Sequence, residues 1–217
     1  MIFLAGRFIN QKILIFVPRA VDGWCRYTDV ANEIRKGKYK YILDVGAGGE
    51  GISKFLDLEN KFICVLDIKN VFTFMNKDKI NPIIGDGCNL PFKAKTFEIV
   101  ISVASIEHVP KNRRNNYLKE LKRVGKKIIL HFPVISNDGL YKGKLYDIKF
   151  QNIHKRLFGF YDQNTSEHIK SGHPTLDEIK KIFPNASYLL GRKNCDIWLK
   201  YMIFSRRSFI GFLTGLI

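Results

Sequence analysis

The sequence predicts an α/β fold, one domain over residues 1–217 built on a doubly wound, mainly parallel sheet. Three observations carry that expectation. From Tyr41 onward, apolar runs of strand length alternate with segments of helical period, the pattern of right-handed βαβ units. The runs are apolar throughout, as strands covered on both faces are. The first run ends in a glycine-rich turn, "YILDVGAGGEG", with G-x-G-x-x-G at Gly46, Gly48 and Gly51. A chain of 217 residues, 46% hydrophobic, is long enough for one such core and too apolar for disorder.

Taken in order, the opening "MIFLAGRFINQKILIFV" is apolar but broken by Arg7, Asn10, Gln11 and Lys12, too much so to span a bilayer. Residues 1–40 are expected to form a helical cap over the site. Residues 40–45 read as a buried strand, "GISKFLDL" as a short helix, and residues 62–68 as a second strand followed by a helical stretch through "VFTFMN". Residues 81–87 form a short third strand and residues 97–105 a fourth. A helix follows over 110–125: Pro110 suits its start, Gly125 its stop, and Tyr117, Leu118, Leu121 and Val124 make one apolar face. Its polar face carries Lys111, Arg113, Arg114, Lys119, Lys122 and Arg123. Residues 127–134 are the fifth strand.

Beyond that point the pattern changes. Residues 135–173 are polar, aromatic and basic without a clean period, and so long a segment in a compact domain predicts a functional, substrate-side insertion. "PTLDEIKKIF" reads as a helix with Thr175 and Glu178 at capping-box spacing, ended by Pro184. "ASYLLGRK" and "DIWLKYMIF" read as two strands of an antiparallel hairpin, which brings the sheet to seven strands.

The net charge of +16 makes this a basic protein and favours an anionic partner, whether nucleic acid, acidic lipid or a phosphorylated substrate. A lysine-rich solvated surface is the competing reading. Cys25, Cys64, Cys88 and Cys195 are scattered without a C-x-x-C pair, which argues against zinc or disulfides and for a reducing, cytoplasmic compartment. The apolar "SFIGFLTGLI" at the end is too short to span a membrane. Either terminus could rest in a membrane interface, with packing on the domain itself as the alternative.

The glycine turn alone does not name a ligand. Asp44 precedes it, giving D-x-G-x-G, and a carboxylate there suits an ammonium better than a pyrophosphate. Asp67 ends the second strand, placed to accept ribose hydroxyls. "GDGCNLPF" sets Asp86 at the end of the third, within reach of an adenine amine, and "FEIVISVASIEHV" follows. In these four blocks, in this order and spacing, the sequence resembles the class I S-adenosylmethionine-dependent methyltransferases, in particular the small-molecule subgroup that includes quinone-biosynthesis enzymes. The resemblance covers residues 41–134 well and the terminal helix and hairpin loosely. It implies a Rossmann-like doubly wound seven-stranded sheet with a C-terminal antiparallel hairpin, and S-adenosylmethionine as cofactor.

Carried over residue by residue, the resemblance implies that Gly46, Gly48 and Gly51 let the backbone approach the methionine part of the cofactor. A following helix N-terminus favours its carboxylate. Asp44 sits near its ammonium or orients the loop, and Asp67 holds the ribose. Ile68 flanks adenine, Asp86 accepts its amine beside the Gly87 and Cys88 backbone, and Ser102 lies in the floor under the sulfonium. The acceptor side is expected around Glu107, His108, His131, His168 and His173, with His108 the candidate to take a proton. Histidines five apart with one nearby acid, Glu167, do not predict a metal, and none is expected. His154 is expected at the surface. The acceptor reads as a small or lipid-like molecule. An RNA acceptor, favoured by charge, and a catalytically inactive cofactor-binding subunit are the alternatives.

Overall fold

The computed structural model describes residues 18–49, 51–72, 80–137 and 142–188, together with Leu199 and Ile203. Its sheet has five strands, all parallel: β1 (Tyr41–Val45), β2 (Phe62–Asp67), β3 (Asn81–Ile84), β4 (Phe97–Val103) and β5 (Gly125–His131). Their spatial order is β3-β2-β1-β4-β5. The chain builds outward from β1 on one side, then crosses to β4 on the other. The switch point, where open α/β sheets bind ligands at the strand carboxyl ends, therefore lies between β1 and β4.

Both faces are covered, as the unbroken apolar runs require. The period of two divides each strand between two cores: Ile42, Ile63, Val65, Ile99, Ile101 and Val103 face one, and Leu43, Cys64, Leu66 and Val100 the other. On the first face lies helix α1 (Pro18–Lys36), which contributes Tyr27, Val30, Ala31 and Ile34 at helical spacing. On the second lie α2 (Lys111–Val124), with Tyr117, Leu118, Leu121 and Val124, and Ile179 from α5 (Leu176–Ile182). At about 1.5–3 kcal/mol for each fully buried aliphatic side chain, these two cores are the main source of stability.

Local signals set the ends of these helices. Thr175 caps α5 with the full capping box, its hydroxyl accepting from the Glu178 amide while the Glu178 carboxylate accepts from its own. Pro110 is the N-cap residue of α2 rather than part of its first turn. Gly125 ends α2, but with φ −102, an ordinary extended value. Glycine is there because a Cβ would stand 2.6 Å from Val100 Cγ2.

Four expectations are corrected. After the glycines there is only a four-residue 3-10 turn, Ile52–Phe55. It is too short for the aligned dipole that a helix N-terminus was expected to offer an anion. The described sheet has five parallel strands, not seven with an antiparallel hairpin. Most of the expected hairpin lies outside the described residues, but Leu199 and Ile203, within its second strand, are helical. The helix expected through residues 71–76 also falls largely outside them. Third, the insertion is not irregular: it holds α3 (Gly143–Phe158) and α4 (Gln163–Ser171). Fourth, His154 is buried, its Nδ1 2.8 Å from the Phe160 carbonyl.

Candidate cofactor and acceptor site

At the carboxyl end of β1 the chain turns sharply. Gly46 and Gly48 have φ of +73 and +57, in the left-handed region that a side chain strains. Gly46 also has no room for one, since a Cβ would sit 1.9 Å from Ser105 Oγ. Above Gly48 the space is open, with nothing within 4 Å of such an atom. The turn is held by backbone bonds from the Gly46 amide to the Leu66 carbonyl (2.7 Å) and from the Gly51 amide to the Ala47 carbonyl (3.0 Å).

Two carboxylates brace it. Asp44 is fully buried; its Oδ2 accepts from the Ile52 amide at 2.7 Å, while Oδ1 is buried with no hydrogen-bond partner. Burial pushes its pKa up to about 7, the Ile52 bond opposing and Asp67 adding to the rise. Asp67, at the end of β2, accepts from the Gly48 amide through Oδ2 and from the Lys69 amide through Oδ1, both at 3.0 Å. Each of those oxygens keeps a second lone pair for a diol. An orphaned buried carboxylate oxygen, open space over a left-handed glycine and a braced carboxylate at the neighbouring strand end are groups that the methionine and ribose parts of S-adenosylmethionine would use. Ile68, 63% exposed beside them, is free to cover a ring.

The third and fourth blocks are tied into the surrounding structure. Asp86 Oδ1 accepts from the Cys88 amide at 2.9 Å and Oδ2 is ion-paired with Arg113, so neither oxygen is idle. The Cys88 bond and the Arg113 charge, against partial burial, hold Asp86 below the usual carboxylate range. Burial and the Asp86 charge push the Cys88 thiol up to about 11. Gly87 packs against α2: a Cβ would meet Tyr117 Cε2 at 2.4 Å. Ser102 is buried under the floor, its Oγ 2.7 Å from the Tyr117 hydroxyl. That hydroxyl also lies 3.1 Å from Ser105 Oγ and donates to the Val45 carbonyl at 3.3 Å. Tyr117, read from sequence as one apolar position among four, is the polar hub joining β1, β4 and the turn after it.

Beyond β4, Ala104 has φ +49, a left-handed value for a residue with a Cβ, and its amide donates to the His131 carbonyl at the end of β5. A 3-10 turn, Ile106–His108, follows. Glu107 is 1% exposed, with Oε2 unpartnered and its pKa raised to about 7 by burial. His108 is held below the usual imidazole range by burial and by His168, against the pull of Glu167. The structure brings Glu107, His108, His168 and His173 together, while His131 stands partly buried at the end of β5.

The residue that sequence reasoning missed is Asp147, on the buried face of α3. Its Oδ2 lies 2.8 Å from His168 Nδ1 and 2.7 Å from His173 Nε2. Burial alone would raise its pKa, but these two contacts more than offset that and lower it. His108 connects to the same group through His168, Nε2 to Nε2 at 3.1 Å, and its Nδ1 lies 3.2 Å from Glu167 Oε2. Arg114, expected on a solvated face, is 2% exposed and pins the loop that carries His173. Its Nε donates to the Val109 carbonyl at 3.0 Å, and its Nη2 to the carbonyls of Ser171 and Gly172.

A parallel sheet with a left-handed glycine turn at its switch point and an acid on the adjacent strand defines a domain that holds a nucleoside-type cofactor. Residues 43–128 match the family model of a methyltransferase domain. Over that segment the chain is similar to S-adenosylmethionine-dependent methyltransferases, a family whose cofactor is S-adenosylmethionine. The ubiquinone/menaquinone biosynthesis C-methyltransferase UbiE of a Ruegeria species is 35% identical over 115 residues, covering 50% of this chain and 42% of that protein. An uncharacterized protein of Methanocaldococcus jannaschii is 31% identical over 157 residues, 69% of this chain and 59% of that protein. The chain thus spans about half the length of these relatives. The solved YcgJ protein of Bacillus subtilis matches over 83% of this chain and 84% of its own, with a TM-score of 0.52 and 13% identity, a likeness of fold.

Proposed function

We propose that the chain transfers the methyl group of S-adenosylmethionine, by in-line displacement, to a small or lipid-like acceptor. The observation that carries this is the cradle at the ends of β1 and β2: left-handed Gly46 and Gly48, the orphaned Asp44 Oδ1 and the braced Asp67. The cofactor supplies an activated methyl on a sulfonium, so the protein's task is alignment and exclusion of water. Asp44 binds the ammonium and, through Ile52, fixes the turn. Asp67 and Gly48 hold the ribose, with Gly51 shaping the exit of the loop. Ile68 and the Gly87–Cys88 backbone flank the adenine, and Asp86 reaches its amine once Arg113 swings aside. Ser102, through Tyr117, sets the floor.

Residues 18–40 cap this site, residues 1–17 of the expected cap lying outside the described residues, and residues 142–173 form the acceptor side with Glu107, His131, His168 and His173. His108 is the group that acts on the acceptor's proton. A small acceptor is supported by the role in quinone biosynthesis that the Ruegeria relative's name gives and by the aromatic residues of the insertion. The net charge of +16 favours RNA as the second reading. A cytoplasmic location goes with either, membrane-peripheral through the termini if the acceptor is a lipid. Among the described residues no helix is long and apolar enough to cross a membrane.

Titration calorimetry of S-adenosylmethionine into the protein, with Asp67→Ala beside it, tests the cofactor site. The expected result is micromolar binding that the substitution abolishes; no binding by the unaltered chain overturns the reading. A screen with labelled methyl donor then tests acceptors, and cofactor binding without turnover on any of them supports an inactive subunit instead. Tight RNA binding that falls steeply with salt would favour the nucleic-acid reading. If the C-terminal tail contacts lipid, vesicle co-sedimentation fails when Phe209, Phe212 and Leu213 are made polar.

A further inference from the structure

We propose that Glu107, His108 and His168 form a binding site for a divalent transition-metal ion of zinc type. A carboxylate can only accept a hydrogen bond, so the imidazole nitrogen facing it carries the hydrogen. His168 presents Nδ1 to Asp147 at 2.8 Å, and His108 presents Nδ1 to Glu167 at 3.2 Å. Each ring, when neutral, therefore has its lone pair on Nε2. Those two Nε2 atoms face each other at 3.1 Å. Two lone pairs do not approach so closely unless something positive lies between or beside them.

One shared proton would join the rings but leave the third group unexplained. Glu107 is 1% exposed, and its Oε2 is buried without a partner. One ligand atom from each of Glu107, His108 and His168 falls within a 4.8 Å span. Two imidazole nitrogens bound at 2.0–2.1 Å to one tetrahedral ion stand about 3.3 Å apart, close to the separation seen. A cation would be met by one atom from each of the three residues. The carboxylates behind both rings, Asp147 and Glu167, are the outer shell that fixes the tautomer and orients a ligating histidine. Arg26 and Arg114 lie within electrostatic reach of Glu107, so the site's charge is moderated rather than purely negative.

The neighbouring trio of Asp147, His168 and His173 does not qualify in the same way. There both imidazole nitrogens already donate to one carboxylate oxygen, and no ligand atom is left idle among the contacting ones. Three protein ligands leave at least one position open. His108 is the more exposed member of the set, so that position faces the mouth, where water or an acceptor oxygen completes the sphere. A mixed imidazole and carboxylate set suits zinc or cobalt rather than magnesium. With an ion bound, His108 acts on the acceptor through the metal instead of taking its proton directly. That role rests on the proposed methyl transfer, whereas the binding does not.

The test uses the full chain stripped with a chelator, titrated calorimetrically with Zn2+ and followed by visible absorption with Co2+. One ion per chain is expected, with a tetrahedral or five-coordinate cobalt spectrum and no displacement by a tenfold excess of Mg2+. Glu107→Gln, which keeps the shape and removes the charge, and His168→Gln are each expected to weaken binding by at least 100-fold. Asp147→Asn is expected to weaken it by 10–100-fold. Circular dichroism and S-adenosylmethionine titration accompany every variant. Absence of a one-to-one ion in the unaltered chain overturns the proposal, as does equal affinity in Glu107→Gln. Unchanged cofactor binding alongside failed metal binding would sink this site and leave the methyltransferase reading standing; the reverse would do the opposite.

Discussion

Asp44→Asn separates what a buried carboxylate costs from what it does. The side chain is fully buried at the end of β1, and burial moves its pKa from 3.8 to about 7. The folded value lies above the unfolded one, so the folded protein binds this proton more tightly. Its contribution to stability is therefore full below pH 3.8, falls as pH rises and levels off above about 7. At 1.36 kcal/mol per tenfold change in affinity, the loss between those limits is about 4 kcal/mol. Asparagine keeps an oxygen for the Ile52 amide and carries no charge, so it removes that loss. The variant is expected to be more stable than the parent at pH 8, by roughly 2–4 kcal/mol, and to gain less than half as much at pH 5. Cofactor binding should move the other way, because the charge opposite the ammonium is gone. Removing a charged hydrogen-bond partner at about 1.5–3 kcal/mol corresponds to roughly a 10–100-fold weaker Kd. Thermal melts from pH 5 to 8 and cofactor calorimetry read the two effects separately. A variant no more stable than the parent at pH 8 would refute the burial argument, and undiminished cofactor affinity would refute the assigned role of Oδ1.

Other positions give narrower tests. Gly46→Ala places a Cβ against Ser105 Oγ at a left-handed φ, so it should destabilise the turn by roughly 1–3 kcal/mol and lower cofactor affinity in calorimetry. Tyr117→Phe deletes the hydroxyl that meets Ser102, Ser105 and the Val45 carbonyl; a loss of about 1–3 kcal/mol in chemical denaturation is expected, and no loss would deny the hub. Gln151→Ala removes two bonds donated by its Nε2, to the Asp162 carbonyl and Ser166 Oγ, and one accepted from the Asp162 amide. It should cost about 2–4 kcal/mol and loosen the start of α4, seen as faster amide exchange there. Ala104→Gly relieves a left-handed φ and should stabilise the protein by up to about 1 kcal/mol by melting temperature; destabilisation would show that the conformation is not strained.

The parallel strands and the glycine turn were legible because their signals are local. Strand runs such as 97–103 are apolar on both faces, and a turn that must go left-handed demands glycine at 46 and 48. The helices of residues 143–171, and Asp147 with them, were not legible, and the reason is physical. Helix α3 turns Asp147, Phe150, Gln151 and His154 inward, at helical spacing, so its buried stripe is three-quarters polar. A search for apolar period cannot see such a helix, and it consigns His154 to the surface for the same reason. The polar stripe is affordable because its members satisfy one another across elements. Gln151 is bonded to Asp162 and Ser166, His154 to Phe160, and Asp147 to two histidines.

The histidine cluster is assembled from residues far apart in the chain. Glu107 and His108 come from a turn at the end of β4, Asp147 from α3, His168 from α4 and His173 from the loop beyond. No two of these elements share a motif. What draws them together is Arg114, whose guanidinium reaches from the buried side of α2 to the carbonyls that end α4. Cations are favoured at a helix C-terminus, and here the bonds reach that end in a desolvated setting, where they are worth more than at a surface. A buried arginine on a helix otherwise lined with Lys111, Lys119 and Lys122 would be an odd expense for stability alone. It is accounted for if its task is to hold α4, with Glu167 and His168, against the strand end that carries Glu107 and His108. On that account Arg114 is a positioning residue. Arg114→Lys keeps the charge but not the fork, and should disperse the cluster while leaving the cradle at β1 intact.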